Sequence, residues 1–375
     1  MTVATTDPGP DWSETLLRRG AGVPDNPRIS ICILVLERAQ LALNCLDALR
    51  RPGACPPGTE VVVVANGTPA DQVVSLAARD DVVLVVNHAN LGFGGGCNQA
   101  ASVARASLLV FLNDDSTVEV GCIDALIRAS SEDPTIGAVG ARILSADGTL
   151  QEAGSVVWND GSVTHVGEGL PSGSDALRTQ RNVDYASANG LLVTRRAWDS
   201  VGGFDGRYFP AYFEDVDLCL ALAAQGFRIR YEPQARIVHR GSQSTSIVYR
   251  EFLLTKNQQK LVEKWGRELD RFDPPPPKDS GRAFDAAMLR AIKRADGTTP
   301  ARFATPGASV GAPLPPVPPD PPGEAADLHA EYLAYLERRV VENGRRITML
   351  ETYLSGLWGV RLRRWIGGRL HRLRS

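Results

Sequence analysis

The stretch Ile29-Ser30-Ile31-Cys32-Ile33-Leu34-Val35-Leu36 decides the fold, because it is an almost continuous apolar run of strand length. A run of this kind suits a parallel strand that is buried on both faces. Three similar runs follow at 60–64, 82–86 and 107–112, with helical segments between the strands. This alternation predicts βαβ units and an open, Rossmann-like parallel sheet of the α/β class.

Further elements extend this domain toward the C-terminus. The sequence predicts a helix at 121–131, strands at 137–144 and 190–193, and a closing helix from Ile247 to Leu269. We therefore place the α/β domain at residues 28–270, after a loosely ordered lead-in at residues 1–27 that is rich in Pro, Gly, Asp and Thr.

Size and charge fit one enzyme-sized domain with appendages. The chain has 375 residues, and 41 Lys and Arg against 43 Asp and Glu give a net charge of −2, which does not suggest a nucleic-acid partner. Its six cysteines show no C-x-x-C spacing, so we interpret them as reduced core thiols of a cytoplasmic protein without a zinc site. Residues 1–27 lack the pattern of a signal peptide, and the sequence predicts neither export nor a membrane span.

Polar residues follow each of the four predicted strands. Glu37 and Arg38 follow the first, Asn66 ends the second, the segment 87–96 follows the third, and Asn113-Asp114-Asp115 follows the fourth. In open parallel sheets, ligands bind beyond the carboxyl ends of the strands. We therefore expect these residues to line one binding site.

The segment after the third strand, Asn90-Leu91-Gly92-Phe93-Gly94-Gly95-Gly96-Cys97-Asn98, is rich in glycine. A dinucleotide-binding fingerprint would follow the first strand, where this sequence has no glycines, so the segment is weak support for dinucleotide binding. A glycine-rich turn at a helix N-terminus favours an anion, since the backbone comes close and N–H groups are free. The alternative interpretation is a tight turn that packs under the sheet.

Asn113-Asp114-Asp115 ends an apolar strand with two adjacent carboxylates. Such a pair must be solvated, hydrogen-bonded or bound to a cation, because burying an unpaired charge is costly. Oxygen-rich sites suit Mg²⁺ or Mn²⁺ bridging a diphosphate. Alone the pair is more typical of a turn, but beside a glycine-rich anion loop we interpret it as a metal site.

The segment 145–183 is a polar insertion, rich in Gly, Ser and Asp, that also carries Trp158 and His165. An insertion of this length in a compact domain is usually functional rather than a plain connection. We expect it to cover an acceptor.

Three carboxylates, Glu214, Asp215 and Asp217, stand where the helical run 218–224 begins. Acidic side chains at a helix start are favoured by the free N–H groups and the helix dipole, so a capped, solvated first turn is one interpretation. The flanking order favours another, because a Gly-Gly turn precedes the carboxylates and a strand leading to His239 follows them. That order predicts a carboxylate pair and an imidazole at neighbouring loop ends.

Five motifs together resemble glycosyltransferase family 2, which has the GT-A fold, and especially its rhamnosyltransferase-like and galactofuranosyltransferase-like branch. They cover about residues 28–245 and occur in the family's order. The motifs are the segment 90–98, Leu112-Asn113-Asp114-Asp115, Val201-Gly202-Gly203-Phe204-Asp205, Tyr212-Phe213-Glu214-Asp215-Val216-Asp217-Leu218 and His239-Arg240-Gly241.

The resemblance implies a role for each site residue. Asp115 would hold Mg²⁺ or Mn²⁺ on the donor diphosphate, His239 would complete that coordination, and Asp215 would be the general base. Glu214 and Asp217 would lie on the acceptor side, where they would orient the base or bind acceptor hydroxyls. The residues implied on the donor-nucleotide side are Glu37, Arg38, Asn66, Asn90, Gly94, Asn98, Asn113 and Asp114.

Two positions depart from the family's pattern. Asn113 replaces the first Asp of the family's D-x-D motif, which removes one charge from the metal site. Ala65 replaces the Asp that commonly follows the second strand and contacts the base of the nucleotide.

The chemistry implied is inverting glycosyl transfer. Inversion needs one base for the acceptor hydroxyl and a metal ion that stabilises the leaving diphosphate, so one carboxylate suffices on the acceptor side. We expect a dTDP- or UDP-linked donor and a cell-envelope glycan or lipid-linked acceptor.

Two alternatives remain from the sequence. A nucleotidyltransferase would carry a glycine-rich loop with a basic residue after the first strand, and Leu36-Glu37-Arg38-Ala39 is not such a loop. A non-catalytic sugar-binding or scaffolding domain is suggested by Ala65 and Asn113.

Residues 271–323 are dense in proline and predict an extended linker, with a short helix at 286–295. In the C-terminal segment 324–375, apolar residues recur at 3-4 spacing, which predicts a coiled coil and hence a homo-oligomer. The alternative is a long helix folded back on the α/β domain, which Gly344 favours. The seam is Leu333, Leu336, Val340, Asn343, Ile347, Leu350, Leu354 and Leu357.

The tail at 356–375 holds six arginines and no acidic residue, and two tryptophans share one face of its helical wheel with aliphatic residues. This pattern is typical of an interfacial helix on anionic lipid and predicts a peripheral position at the inner face of the cell membrane. A solvated basic face and a protein-docking arm are the alternatives.

Overall fold

The computed structural model describes residues 16–174, 177–241, 246–277 and 285–290, together with 328, 330–336 and 338. The chain divides into two compact units, Met1–Pro319 and Asp320–Ser375. The predicted seam beyond Leu336 and the basic tail lie outside the described residues, as does most of the linker. Those predictions stay predictions.

The first unit is built on a mixed sheet flanked by helices. Its strands are β1 (Leu16–Arg19), β2 (Ile29–Val35), β3 (Thr59–Asn66), β4 (Val83–Asn87), β5 (Leu108–Asn113), β6 (Ser116–Val118), β7 (Ile136–Ser145), β8 (Leu150–Glu152), β9 (Ser155–Val157), β10 (Val163–His165), β11 (Arg181–Val183), β12 (Leu191–Thr194) and β13 (Arg228–His239). Its helices are α1 (Ala39–Leu49), α2 (Ala70–Ala77), α3 (Gly92–Val103), α4 (Cys122–Ser131), α5 (Arg195–Val201), α6 (Glu214–Ala224) and α7 (Ile247–Leu269), with a 3₁₀ turn at Gly206–Tyr208.

The central sheet confirms the predicted α/β class. Its strands run in the order β1-β4-β3-β2-β5-β12-β7-β13-β11, with β6 on β13 and β8 on β7. The four strands predicted first, β2 to β5, pair in parallel. Alternate residues of β2 face opposite cores: Ile31 and Ile33 pack with α1, α2 and α4, and Cys32 packs with α3.

Strand β12 runs against its neighbours, which the sequence did not predict. It pairs antiparallel with both β5 and β7. The insertion that leads to it leaves β7 at Ser145 and enters β12 at Leu191. Because the insertion begins and ends at one edge of the sheet, strand β12 must cross the sheet in the direction opposite to β7. The insertion therefore lies at the edge where β2, β3 and β5 end.

The N-terminal lead-in is more ordered than predicted from Leu16 onward. Leu16–Arg19 pair antiparallel with Val83–Val86 at the edge of the sheet, and Arg19 Nη1 lies 2.7 Å from Glu60 Oε1. Four residues are too few to show an alternating pattern in the sequence. The strand forms because the edge of β4 offers unpaired backbone groups.

No helix in the described part of the chain is long and apolar enough to cross a membrane.

Candidate active site

The end of β5 and the end of β13 bring Asp115 and His239 together. His239 is the last residue of β13 and pairs with Ser116 of β6. Its Nε2 lies 3.1 Å from Oδ1 of Asp115 and 3.4 Å from Nδ2 of Asn113. The side chains of Asp115 and His239 are only 9% and 16% exposed. An oxygen and a nitrogen ligand therefore lie at one point of the sheet edge.

Gln151 of β8 fixes the orientation of this imidazole. Its Nε2 donates to the carbonyl oxygen of His239 at 3.0 Å, which places its Oε1 toward the ring, 2.8 Å from Nδ1. An amide oxygen only accepts, so Nδ1 carries a proton and Nε2 is the ring nitrogen that faces Asp115. Gln151 was missed in the sequence because one glutamine in a polar insertion carries no motif.

The donor set fits Mg²⁺ or Mn²⁺. Within the described ranges no group of three or more His, Cys, Asp or Glu is arranged to hold a metal ion. A pair of protein ligands suits a hard cation that takes its remaining ligands from phosphate oxygens and water. Burial and the Asp115 carboxylate also raise the pKa of Asp114 to about 7, which marks a crowded negative site.

Asp215 stands in the first turn of α6 and is half-buried. Its Oδ2 accepts from the backbone N–H of Ala188 at 3.2 Å, and its Oδ1 accepts from that of Val216 at 2.8 Å. Burial, followed by the charge of Glu152, raises the pKa of Asp215 to about 6. The group is therefore ionised at neutral pH and is a stronger base than an ordinary aspartate.

A strained turn at Tyr212 and Phe213 leads into α6, the helix that carries Asp215. Tyr212 and Phe213 both adopt left-handed backbone conformations, with φ of 76° and 74°. Such conformations cost a side-chain-bearing residue on the order of 1–3 kcal/mol and persist only where the surroundings enforce them. Asn257 of α7 is fully buried and stabilises this turn. Its Nδ2 lies within 3.0 Å of the carbonyl oxygens of Tyr208, Ala211 and Tyr212.

Replacing Asn257 by alanine is expected to lower the free energy of unfolding by about 1–3 kcal/mol, since buried carbonyl groups lose their donor. Urea unfolding measures the loss. Gln259→Ala, at an exposed position of the same helix, is the matched control and is expected to match the wild type. Equal stability of the two variants would show that other contacts hold the strained turn.

The segment Ser187-Ala188-Asn189 joins the two halves of the site. Ala188 donates to Asp215, and the side-chain oxygen of Asn189 accepts from the backbone N–H of Asn113 at 3.1 Å and from the hydroxyl of Ser116 at 2.9 Å. Consecutive residues thus contact the carboxylate at α6 and the turn that carries Asp115. The sequence analysis missed this segment because its position follows from the antiparallel direction of β12, which puts the start of that strand at the ligand edge.

Asn66 shapes the glycine-rich loop. It is fully buried, its Nδ2 donates to Asn90 Oδ1 at 2.9 Å and to the Gly92 carbonyl at 3.1 Å, and its Oδ1 accepts from Leu91 N–H at 3.0 Å. Asn90 Oδ1 also accepts from Gly92 N–H at 2.8 Å. Both asparagines thus support the loop, and their predicted donor-side role stays a prediction.

Three N–H groups at the start of α3 are already bonded within the protein, which weakens the anion interpretation. The N–H groups of Leu91, Gly92 and Phe93 donate to Asn66, Asn90 and the Pro210 carbonyl. A Cβ on Gly94 would lie 3.1 Å from Cβ of Phe204, so Gly94 serves close packing. The alternative interpretation, a tight turn packed under the sheet, fits this geometry.

Asn98 is likewise engaged by backbone. Its Oδ1 accepts from Phe204 N–H and its Nδ2 donates to the Phe204 carbonyl, each at 2.8 Å. This pairing ties α3 to the loop before α6, and the predicted donor-side role of Asn98 stays a prediction. Glu37 and Arg38 are exposed just beyond β2, and their predicted donor-side role stays a prediction.

Asp217 holds α6 to α7. The Tyr208 hydroxyl and Trp265 Nε1 donate to its Oδ1 at 3.0 and 2.7 Å, and Lys264 Nζ lies 2.7 Å from its Oδ2. Both oxygens of this buried carboxylate thus have donors within the protein, and its predicted acceptor-side role stays a prediction.

Glu214 is also buried, and its Oε2 has no hydrogen-bond partner among the described residues. Burial and then the charge of Asp215 raise its pKa well above the usual range. Burial therefore favours the protonated form of Glu214, and Asp215 is the more readily ionised carboxylate of this pair.

The chain is similar in sequence and in fold to known glycosyltransferases. Residues 30–167 match the sequence model of the family described as Glycosyl transferase family 2. The O-antigen biosynthesis protein RfbC of Myxococcus xanthus is 32% identical over 232 residues, which are 59% of this chain and 18% of that protein. The N-acetylglucosaminyl-diphospho-decaprenol L-rhamnosyltransferase of Mycobacterium tuberculosis is 31% identical over 233 residues, which are 56% of this chain and 73% of that protein.

The matched region thus spans about a fifth of the Myxococcus protein and most of the mycobacterial one. Among solved structures, a crystal structure of GalNAc-T7 with UDP, GalNAc and Mn²⁺ superimposes with a TM-score of 0.51 at 16% identity. That match covers 66% of this chain and 49% of the other. It confirms the predicted GT-A fold.

Proposed function

The chain belongs to glycosyl transferase family 2, and from this premise we propose that it is an inverting, metal-assisted hexosyltransferase. The donor is a dTDP- or UDP-linked sugar of the rhamnose type. The acceptor is a hydroxyl of a cell-envelope glycan on a lipid carrier. The name of the mycobacterial relative, which specifies rhamnosyl transfer and a decaprenol-linked diphosphate, supports both choices.

One observation carries this proposal. Ala188 and Asn189, adjacent in the chain, contact Asp215 and Asn113 respectively, so a half-buried base and the Asp115–His239 pair belong to one site. A base without a metal pair would suit many hydrolases, and a metal pair without a base would suit a binding protein. Their combination on a GT-A sheet is what transfer to a hydroxyl requires.

In the proposed reaction, Asp215 accepts the proton of the acceptor hydroxyl as that oxygen attacks the anomeric carbon of the donor. Attack on the face opposite the leaving diphosphate inverts the configuration. Asp115 and His239 would hold Mg²⁺ or Mn²⁺, which would stabilise the charge of the leaving diphosphate. Burial favours the protonated form of Glu214, so Asp215 is the carboxylate of this pair to which the proton would go.

A panel of nucleotide-sugars tests the donor class by thermal shift. With Mn²⁺, a dTDP- or UDP-linked hexose is expected to raise the melting temperature, because a ligand that binds only the folded state stabilises it by mass action. EDTA is expected to abolish the rise. A rise with free nucleoside triphosphate and none with any nucleotide-sugar would favour a nucleotidyltransferase.

A further inference from the structure

Four side chains of the insertion meet beside Asp215, and we name them the insertion cluster: Glu152, Ser155, His165 and Tyr185. The Nδ1 atom of His165 is their centre. It lies 2.9 Å from the Ser155 hydroxyl, 3.4 Å from Glu152 Oε2 and 3.4 Å from the Tyr185 hydroxyl. The His165 side chain is 32% exposed, whereas that of Glu152 is 4% exposed.

The cluster reaches Asp215 through two consecutive backbone amides. Ser187 N–H donates to Glu152 Oε1 at 3.0 Å, and Ala188 N–H donates to Asp215 Oδ2 at 3.2 Å. The Cα atoms of consecutive residues lie about 3.8 Å apart, so the two carboxylates accept hydrogen bonds from neighbouring N–H groups. Because Glu152 is buried and Asp215 half-buried, solvent screens their repulsion only weakly.

The other titratable groups that face Asp215 are Tyr185 and, on α6, Glu214 and Cys219. Burial raises the pKa of each above its ordinary value, which favours the uncharged form of all three. Among the described residues that face Asp215, charge thus comes from Glu152 and from His165 when its ring is protonated.

We propose that Glu152 and His165 are positioning residues that set the basicity of Asp215 in opposite directions. The inference rests on the proposed function, since it takes Asp215 as the base of that reaction. The negative charge of Glu152 favours the protonated form of Asp215, and so strengthens the base. A protonated His165 favours the ionised form, and so keeps the base available.

This arrangement gives the insertion a function in the reaction as well as a place at the ligand edge. Strand β8 supports both halves of the site, because Gln151 orients His239 and the next residue, Glu152, acts on Asp215. Strand β10 supplies the opposing charge from His165. A glycosyltransferase of this family with another insertion would then have a base of different strength.

The test is the titration of the Asp215 carboxyl, followed by carbon-detected NMR in protein labelled at aspartate carboxyls and assigned with Asp215→Asn. Glu152→Gln is expected to lower the midpoint by about one pH unit, since it removes a negative neighbour. His165→Gln is expected to raise the midpoint, since it removes the opposing charge. The acid limb of the rate profile for transfer should move in the same two directions.

Glu232→Gln, which changes a buried glutamate of β13 bonded to Gln180, is the matched control and should leave the midpoint in place. Midpoints that stay still, or move in one direction in both variants, would overturn the inference. His165 is partly exposed, so its variant is expected to fold even if Glu152→Gln does not. The titration needs no substrate, and a protein that shows the opposite shifts but transfers no sugar would contradict the proposed function alone.

Discussion

Asp215→Asn is expected to reduce the rate of sugar transfer by about 10²–10⁴, the scale of a lost general base, while the affinity for the donor stays within a few fold. The amide cannot take the acceptor proton, and its one oxygen replaces only one of the two acceptors that Ala188 N–H and Val216 N–H use in the carboxylate. The donor is proposed to bind at the Asp115–His239 pair, which this change does not touch. Steady-state rates and isothermal titration with the donor measure the two effects separately.

Asp199→Asn is the matched control, because Asp199 is exposed on α5, which begins at the opposite edge of the sheet. It is expected to behave as the wild type in both measurements. Transfer by Asp215→Asn within tenfold of the wild type would remove Asp215 from the role of base. Loss of donor binding in that variant would place Asp215 on the donor side instead.

Asp115→Ala and His239→Ala are each expected to weaken Mn²⁺-dependent donor binding by about 100-fold or more, since changes even to the groups that support metal ligands typically cost 10–100-fold. The two side chains face each other at 3.1 Å, so each variant removes one of two proposed ligands of a single cation. Isothermal titration of the donor with Mn²⁺ and with EDTA measures the loss.

The matched control here is Asp80→Ala, since Asp80 is exposed and precedes β4, at the edge of the sheet opposite the site. Its donor affinity should equal that of the wild type. The two site variants should have similar donor affinities, and these should match the donor affinity of the wild type measured in EDTA. Strong, metal-independent donor binding by the wild type and by both site variants would show that the Asp115–His239 contact is structural.

The elements of the fold were largely predictable, because buried parallel strands leave continuous apolar runs in the sequence. The run at Ile29–Leu36 contains strand β2 (Ile29–Val35), and the closing helix Ile247–Leu269 has the predicted bounds. The direction of β12 was not predictable from its own residues. A strand as short as Leu-Leu-Val-Thr looks the same in either direction, and only the path of the insertion decides its direction.

The site was less predictable, because a motif shows which residues are polar and not which partners they have. Asn66, Asn98 and Asp217 stand in the motifs, yet their hydrogen bonds hold loops and helices together. Gln151, Glu152 and Asn257 stand outside every motif, yet they orient His239, face Asp215 and hold the strained turn. The folded chain decides which of these side chains are buried and which partners they bond, and no local sequence pattern shows this.

The release of nucleoside diphosphate from the donor that the thermal-shift panel selects tests the central claim most directly. It is measured with acceptor and Mn²⁺ for the wild type, Asp215→Asn and Asp115→Ala. We predict acceptor-dependent release by the wild type that EDTA abolishes, and little release by either variant. Release that persists in EDTA and in Asp215→Asn would contradict the assignment of one base and one metal pair to this site.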